Sequence, residues 1–216
     1  MTQMPKDWRE WHQHYDNPNS SISLRLELVQ GDLRRALAEA PSDEDGIVNL
    51  ITLCAGEGRD VLPVLAEENS GRRVKAILVE YDETLSQRAR TAIEYLDLSE
   101  VKVKTADAGT TDTYRDLPLA QILTVCSVFG NISVEDMRRT IATLPALLVN
   151  DGIVIWTRSG HDKSLEIRRV FLDHGFKEMS FTSTSDNTFW IGMNRLTDRP
   201  ADLHPPQRDT RMFSYF

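Results

Sequence analysis

Between residues 47 and 195 the chain alternates short apolar runs with stretches of helical spacing, and this alternation limits the fold more than any other feature. Ile47–Leu53 (IVNLITL) is a continuous apolar run of strand length. Residues 74–79, Val101–Thr105, 122–126 and 152–156 repeat the signal. Between them lie amphipathic segments. One runs from about Arg59 with Val61, Leu62 and Leu65. Others carry Leu85, Ala89, Ala92, Ile93 and Leu96, then Met137, Ile141, Leu144 and Leu147, and a last one spans 163–174. Continuous apolar strands separated by helices predict a parallel sheet buried on both faces. Residues 177–182 and 188–194 have no helical pattern between them and close the series as an antiparallel hairpin. The expected fold class is α/β, a three-layer α/β/α sandwich with a mostly parallel sheet.

Flanks of different texture surround this block. Ahead of it, Ser20 or Ser21 caps a helix with Ile22, Leu26, Val29, Leu33 and Leu37 on one face, which Pro41 ends. Trp8, Trp11, His12, His14 and Tyr15 crowd before that helix. The expected organisation is a helical arm or lid over 1–45, a core domain over 46–196 and a Pro- and Arg-rich tail over 197–216. At 216 residues the chain suits one such domain.

Charge and cysteine content narrow the function. Asp plus Glu outnumber Lys plus Arg by 33 to 25, a formal charge of -8. That field repels phosphate backbones and anionic lipid, so neither nucleic acid nor a membrane is an expected partner. Cys54 and Cys126 are isolated from one another and from any histidine group, which fits neither a disulfide framework nor a zinc site. No export signal is visible, and a reducing cytoplasmic location is expected.

In a parallel sheet with helices on both faces, ligands bind beyond the carboxyl ends of the strands. Chemistry-bearing residues stand at those ends. The first strand runs into Cys54-Ala55-Gly56-Glu57-Gly58, where glycines permit a sharp turn and close approach to a ligand, or simply an ordinary strand-to-helix turn. The second ends in Glu80-Tyr81; an acid there can accept both hydroxyl hydrogens of a ribose. The third ends in Asp107-Ala108, an acid able to accept from the exocyclic amine of an adenine or to close an Asx turn. The fourth runs into Cys126-Ser127-Val128-Phe129-Gly130-Asn131. Cys126 also suits a small buried apolar group, and Asn131 a turn residue before Ser133, which with Asp136 forms a capping-box pattern.

Taken together, these residues resemble the class I S-adenosylmethionine-dependent methyltransferases over residues 47–196. Glu80-Tyr81-Asp82-Glu83-Thr84-Leu85 through Ala89-Arg90 resembles that family's second motif, Val103-Lys104-Thr105-Ala106-Asp107 its third, and Val128-Phe129-Gly130-Asn131-Ile132 its fourth. The resemblance implies a seven-stranded sheet of order 3-2-1-4-5-7-6 with an antiparallel terminal strand. It implies S-adenosyl-L-methionine as cofactor, held by Cys54, Ala55, Gly56, Gly58, Glu80, Tyr81, Asp107, Ala108 and Cys126. The sequence departs from the family at its first motif. Thr52 and Cys54 stand where an acid is common, and Thr52 cannot supply the charge that steadies the cofactor's methionine amine. Residues 53–65, with Arg59-Asp60, resemble an uncharacterised, notably actinobacterial, subgroup. A nicotinamide-binding Rossmann domain fits less well, since it wants a third glycine where Val61 stands.

The flanks are expected to shape the acceptor site. Asn131, Tyr15, His12 and His14 are candidate positioning groups or bases, and Trp11, Phe129 and Arg158 candidate substrate contacts. The arm equally suits packing on the sheet edge or a dimer contact. Arg158 can bind a carboxylate bidentately or be a surface charge, and His161 lies beside it. His174 and His204 read as exposed polar groups. Phe213, Tyr215 and Phe216 either dock over the fold or fray. No metal ligand set is evident. The expected activity is methyl transfer to O or N of a small molecule, by a monomer or homodimer. The alternatives are a catalytically silent cofactor-binding partner subunit and an RNA methyltransferase. The latter requires a basic stripe beside Asn131, which the Arg34-Arg35, Arg72-Arg73 and Arg138-Arg139 pairs supply only partly.

Overall fold

A computed structural model describes residues 15, 17–18, 20–67, 73–200 and 210–215. The element order is α1 (Ser21–Glu39), β1 (Ile47–Leu53), α2 (Leu62–Leu65), β2 (Arg73–Glu80), α3 (Glu83–Tyr95), β3 (Val101–Thr105), β4 (Ala120–Val125), α4 (Val134–Thr143), β5 (Leu148–Ser159), α5 (His161–Asp173), β6 (Phe176–Ser183) and β7 (Phe189–Leu196). The strands make one sheet of order β3-β2-β1-β4-β5-β7-β6. Strands β1 to β5 pair in parallel, and β7 runs antiparallel to both β5 and β6. This is the expected sandwich and strand order.

Alternation along each strand builds two cores. On one face Val48 and Leu50 of β1 and Ile153 and Ile155 of β5 meet Val29, Leu33, Ala36 and Leu37 of α1, Leu62 and Val64 of α2, and Ala89 of α3. On the other, Ile51 and Leu53 of β1 and Val154 and Trp156 of β5 meet Met137 and Ile141 of α4 and Ile167 and Phe171 of α5. Caps set the helix starts. Ser20 accepts from Ser23 N–H, Asp82 from Leu85 N–H, and Ser133 from Asp136 N–H.

Two elements differ from the sequence reading, each for a local reason. The helix expected from about Arg59 shrinks to Leu62–Leu65. Residues 54–61 wind instead through turns, with Gly58 at φ +78° and its α-carbon packed so that a Cβ would lie 2.8 Å from Leu62 and Leu78. Strand β5 runs on to Ser159, past the apolar run. Its last residues are polar yet pair with β7 as far as Ser159 opposite Phe189, and Thr157 and Arg158 are buried.

The tail returns to the sheet. Met212 N–H donates to Gly109 O at 2.7 Å, and Thr110 and Arg211 form an antiparallel bridge. Met212 and Phe213 are buried in the α4–α5 core. The Asp136 carboxylate accepts from Ser214 N–H at 3.1 Å.

An aromatic cluster stiffens the sheet beneath the fourth and fifth strand ends. The Trp156 indole stacks on Phe171 at 5.9 Å, and Phe129 meets both rings edge-on. Trp156 Nε1–H donates to Asn194 Oδ1 at 2.8 Å. Gly192 faces Trp156 across the β5–β7 ladder, and a Cβ there would fall inside the indole's van der Waals surface. Gly192→Ala is therefore expected to cost about 1–3 kcal/mol of stability, as overpacking of a full core does, measurable by urea unfolding.

Candidate functional site

The sheet's order reverses direction between β1 and β4. One connection leaves toward β2 and the other toward β5, so a crevice opens beyond their carboxyl ends. Just past each strand end stands a non-glycine residue with left-handed backbone, Cys54 at φ 53° and Ser127 at φ 59°. Such a conformation costs of order 1–3 kcal/mol and collects where geometry serves a site. A cavity of about 200 Å³ occupies this crevice.

Glu80 organises its floor. The carboxylate is 8% exposed; Oε2 accepts from Gly56 N–H at 2.7 Å and Oε1 from Asp82 N–H at 2.8 Å. One side chain thus ties the loop after β1 to the loop after β2. Burial raises its pKa above the ordinary carboxylate value, against the lowering effect of those backbone donors. A carboxylate has about four lone-pair directions, so two bonds leave room for hydroxyl donors.

Cys54, Ala55, Gly56, Glu80, Tyr81 and Cys126, all read from the sequence as cofactor contacts, line this cavity. Tyr81 is 77% exposed, an open ring beside the carboxylate. The other three cofactor candidates lie elsewhere. Gly58 packs on Leu62 and Leu78. Ala108 is buried in the core, its carbonyl accepting from Tyr114 O–H at 2.8 Å. Asp107 accepts from Gly109 N–H at 2.8 Å and pairs with Arg211 at 2.6 Å, so the tail covers its outer oxygen.

The opposite wall is a charged network that the sequence reading did not assemble. Arg25 of α1, fully buried, meets Asp60 through both terminal nitrogens, at 2.8 and 3.3 Å. It also donates to Tyr15 Oη at 2.6 Å. Arg59 lies over the Tyr15 ring at 5.2 Å. Tyr15, Arg59 and Asp60 all line the cavity, so an acid does stand near the first motif, four residues beyond Gly56. Its signal was the Arg59-Asp60 pair; the partner Arg25 lies a helix away in sequence. Burial pushes the Tyr15 phenol well above its ordinary pKa, which keeps it neutral. Burial likewise raises both thiols, Cys54 to about 12, so neither is a thiolate nucleophile at neutral pH.

Tyr215 reaches the cavity from the tail, and its O–H donates to the Cys54 sulfur. Of the two readings of the tail aromatics, Phe213 and Tyr215 follow the docked one; that Tyr215 would meet Cys54, 161 positions before it, carries no sequence signal.

Of the acceptor-side candidates, Asn131 and Arg158 line a second cavity, of about 90 Å³, together with Ser127. Asn131 Nδ2 donates to Ser127 O at 2.6 Å and holds the turn after β4. Phe129 sends its ring into the aromatic core; its carbonyl accepts from Arg158 Nη1 at 2.5 Å. Trp11, His12 and His14 lie outside the described residues, as do His204 and Phe216, and the His161 side chain is likewise not described. Among the described residues no group of His, Cys, Asp or Glu converges as a metal site, and no helix is long and apolar enough to cross a membrane.

Comparison with known proteins places this geometry. Residues 19–178 match the model of a family described as "Putative methyltransferase". The chain belongs to this family. No curated protein sequence matches it. Among solved structures it is similar to a SAM-dependent methyltransferase from Aquifex aeolicus, at TM-score 0.62 and 14% identity over 89% of this chain and 100% of that one. The CurJ carbon methyltransferase aligns at TM-score 0.66 and 12% identity, over 89% of this chain and 59% of that one. An O-methyltransferase family protein from Burkholderia thailandensis aligns at 0.61 and 15%, over 81% of this chain but only 57% of that one. At such identities the likeness is one of fold. The crevice of this methyltransferase lies where the switch in strand order puts it.

Removing Asp60 tests the charged wall. Asp60→Ala leaves a buried guanidinium without its counterion and is expected to cost about 3–5 kcal/mol, measured by chemical denaturation.

Proposed function

We propose that the chain transfers a methyl group from S-adenosyl-L-methionine to oxygen or nitrogen of a small molecule. The observation that carries this reading is Glu80, a buried carboxylate fixed by Gly56 and Asp82 N–H at the strand-order switch with acceptor capacity to spare. When bound, the cofactor supplies an electrophilic sulfonium methyl group. The residues present fit it in kind. Glu80 is placed to accept ribose hydroxyls, Tyr81 and Leu85 offer apolar surface for a base, and Arg59 and Asp60 carry the charges that an amino-acid end requires.

Size sets one condition. Small-molecule sites occupy about 300–1,000 Å³, more than this cavity's 200 Å³. Tyr15 and Tyr215 narrow it from the two flanks. Tyr215 meets the Cys54 sulfur and the Phe213 ring, contacts weaker than an ion-pair clamp, so in this reading it is the side chain that yields when cofactor enters. Tyr15 is clamped by Arg25 and stays.

For the transfer itself, the chain's residues hold rather than react. With Tyr15 neutral and both thiols protonated, no strong base faces the crevice from these groups. Transfer then rests on proximity and alignment, which suits an acceptor already able to attack. The formal charge of -8 favours a small molecule over RNA.

Calorimetry with S-adenosylhomocysteine tests the reading. Wild type is expected to bind, and Glu80→Gln to bind about tenfold or more weakly, the loss expected for hydrogen bonds to a charged group. Because the ionised carboxylate accepts the ribose hydrogens, affinity in the wild type should fall as pH drops through the raised Glu80 pKa, beginning above the ordinary carboxylate range. Glu80→Gln should lack that dependence. No binding by the wild type overturns the function. Tyr215→Ala should bind S-adenosylhomocysteine more tightly than wild type; weaker binding would make Tyr215 part of the cofactor's wall.

A further inference from the structure

Among the described residues Arg158 is a charge without a counterion. It sits on β5 opposite Trp190, 8% exposed, and its one hydrogen bond among the described residues runs from Nη1 to Phe129 O at 2.5 Å. Burial lowers its pKa, yet a guanidinium stays protonated at any physiological pH. Among the described residues no carboxylate pairs with it. Glu166 borders a neighbouring cavity with Arg158, but Arg138 binds that carboxylate at 2.6 Å. A guanidinium has five N–H donors, and leaving a buried charge this poorly matched is costly.

The surroundings leave space beside the guanidinium. Arg158 borders the 90 Å³ cavity with Gly130, Asn131 and Ser159. Gly130 makes the room: a Cβ there would stand 3.3 Å from Arg158 Nη1 and 3.6 Å from Ser159 Oγ. Thr157 fixes the rim by accepting from Ser127 N–H at 2.9 Å. Ser127 also lines the larger cavity, so the two spaces adjoin at the left-handed turn after β4. A planar anion seated on Arg158 would thus lie next to the cofactor crevice.

We infer that this cavity is the acceptor's anchoring subsite and that the acceptor molecule carries a carboxylate, bound by Arg158. The inference rests on the methyl-transfer reading above and adds the substrate class to it. The fork of a guanidinium matches a carboxylate in two parallel hydrogen bonds and so fixes orientation as well as position. A cavity this small takes the carboxylate and the atoms next to it. The rest of the acceptor extends past Ser127 toward the cofactor.

The test uses the full chain loaded with S-adenosylhomocysteine, whose binding is verified first. Failure at that step would sink the methyl-transfer reading and leave the anion question to be asked of the free chain. The Arg158 Nε–H resonance is then followed by nitrogen-edited NMR while sodium acetate, acetamide or inorganic phosphate is added, on the order of tens of millimolar, the range where a lone carboxylate contact registers. Acetate should shift the resonance saturably, and acetamide should not. Arg158→Lys, which keeps charge but loses the fork, and Gly130→Ala, which crowds Nη1, should each weaken the acetate effect on neighbouring resonances about tenfold or more while S-adenosylhomocysteine affinity is unchanged. The wild-type comparison of acetate with acetamide stands even if a variant fails to fold. No acetate shift, an equal response to acetamide, or a response to phosphate alone overturns the inference.

Discussion

The crevice between β1 and β4 exists because the chain leaves these adjacent strands in opposite directions, and the rest of the molecule is arranged around that divergence. Two loops that part from each other need something to hold them. The Glu80 carboxylate does so, bonding the loop after β1 through Gly56 and the loop after β2 through Asp82. Burial makes the carboxylate costly, and backbone donors offset part of that cost. The left-handed turns at Cys54 and Ser127 add strain at the same two strand ends. These expenses are borne by a sheet buried on both faces, with the Trp156 cluster stiffening its far half.

The flanks finish what the sheet begins. Helix α1 carries Arg25 beneath the first loop, where its ion pair with Asp60 and its bond to Tyr15 set one wall. The tail brings Arg211 to Asp107 and Tyr215 to Cys54 on the other side. The two restraints differ in strength. The Arg25–Asp60 pair is buried and breaking it exposes a bare charge to the interior. The Arg211–Asp107 pair is half exposed, and pairs of that kind contribute little. One wall is therefore pinned by a buried ion pair and the other by a half-exposed one together with the buried Met212 and Phe213.

Asp107 shows how far a motif reaches. As the acid closing the third strand it stood out in the sequence, and its backbone position is the expected one. Its outer oxygen faces Arg211, a residue 104 positions away. Local pattern placed the carboxylate; it said nothing of which cation would arrive from the tail. Gly58 is a similar case. It reads as a ligand-approach glycine, but it serves the packing of Leu62 and Leu78, because a glycine that permits a turn and one that admits a neighbour look alike in sequence.

What the sequence determined by itself was the sheet. Apolar runs such as IVNLITL bury both faces, the intervening helices force parallel connections, and the terminal hairpin pairs β6 with β7; these follow from periodicity and chain connectivity, which are local properties, whereas the place of β7 beside β5 was implied only by the family resemblance. The strand-end positions of Glu80, Asp107 and Asn131 follow with them. Tertiary structure alone decided the walls: Arg25 with Asp60 and Tyr15, Tyr215 on Cys54, and Arg158 beside Gly130 with no carboxylate partner among the described residues. Each joins elements that only packing brings together, and a charge's partner or lack of one is set by what the folded chain puts within a few ångströms of it.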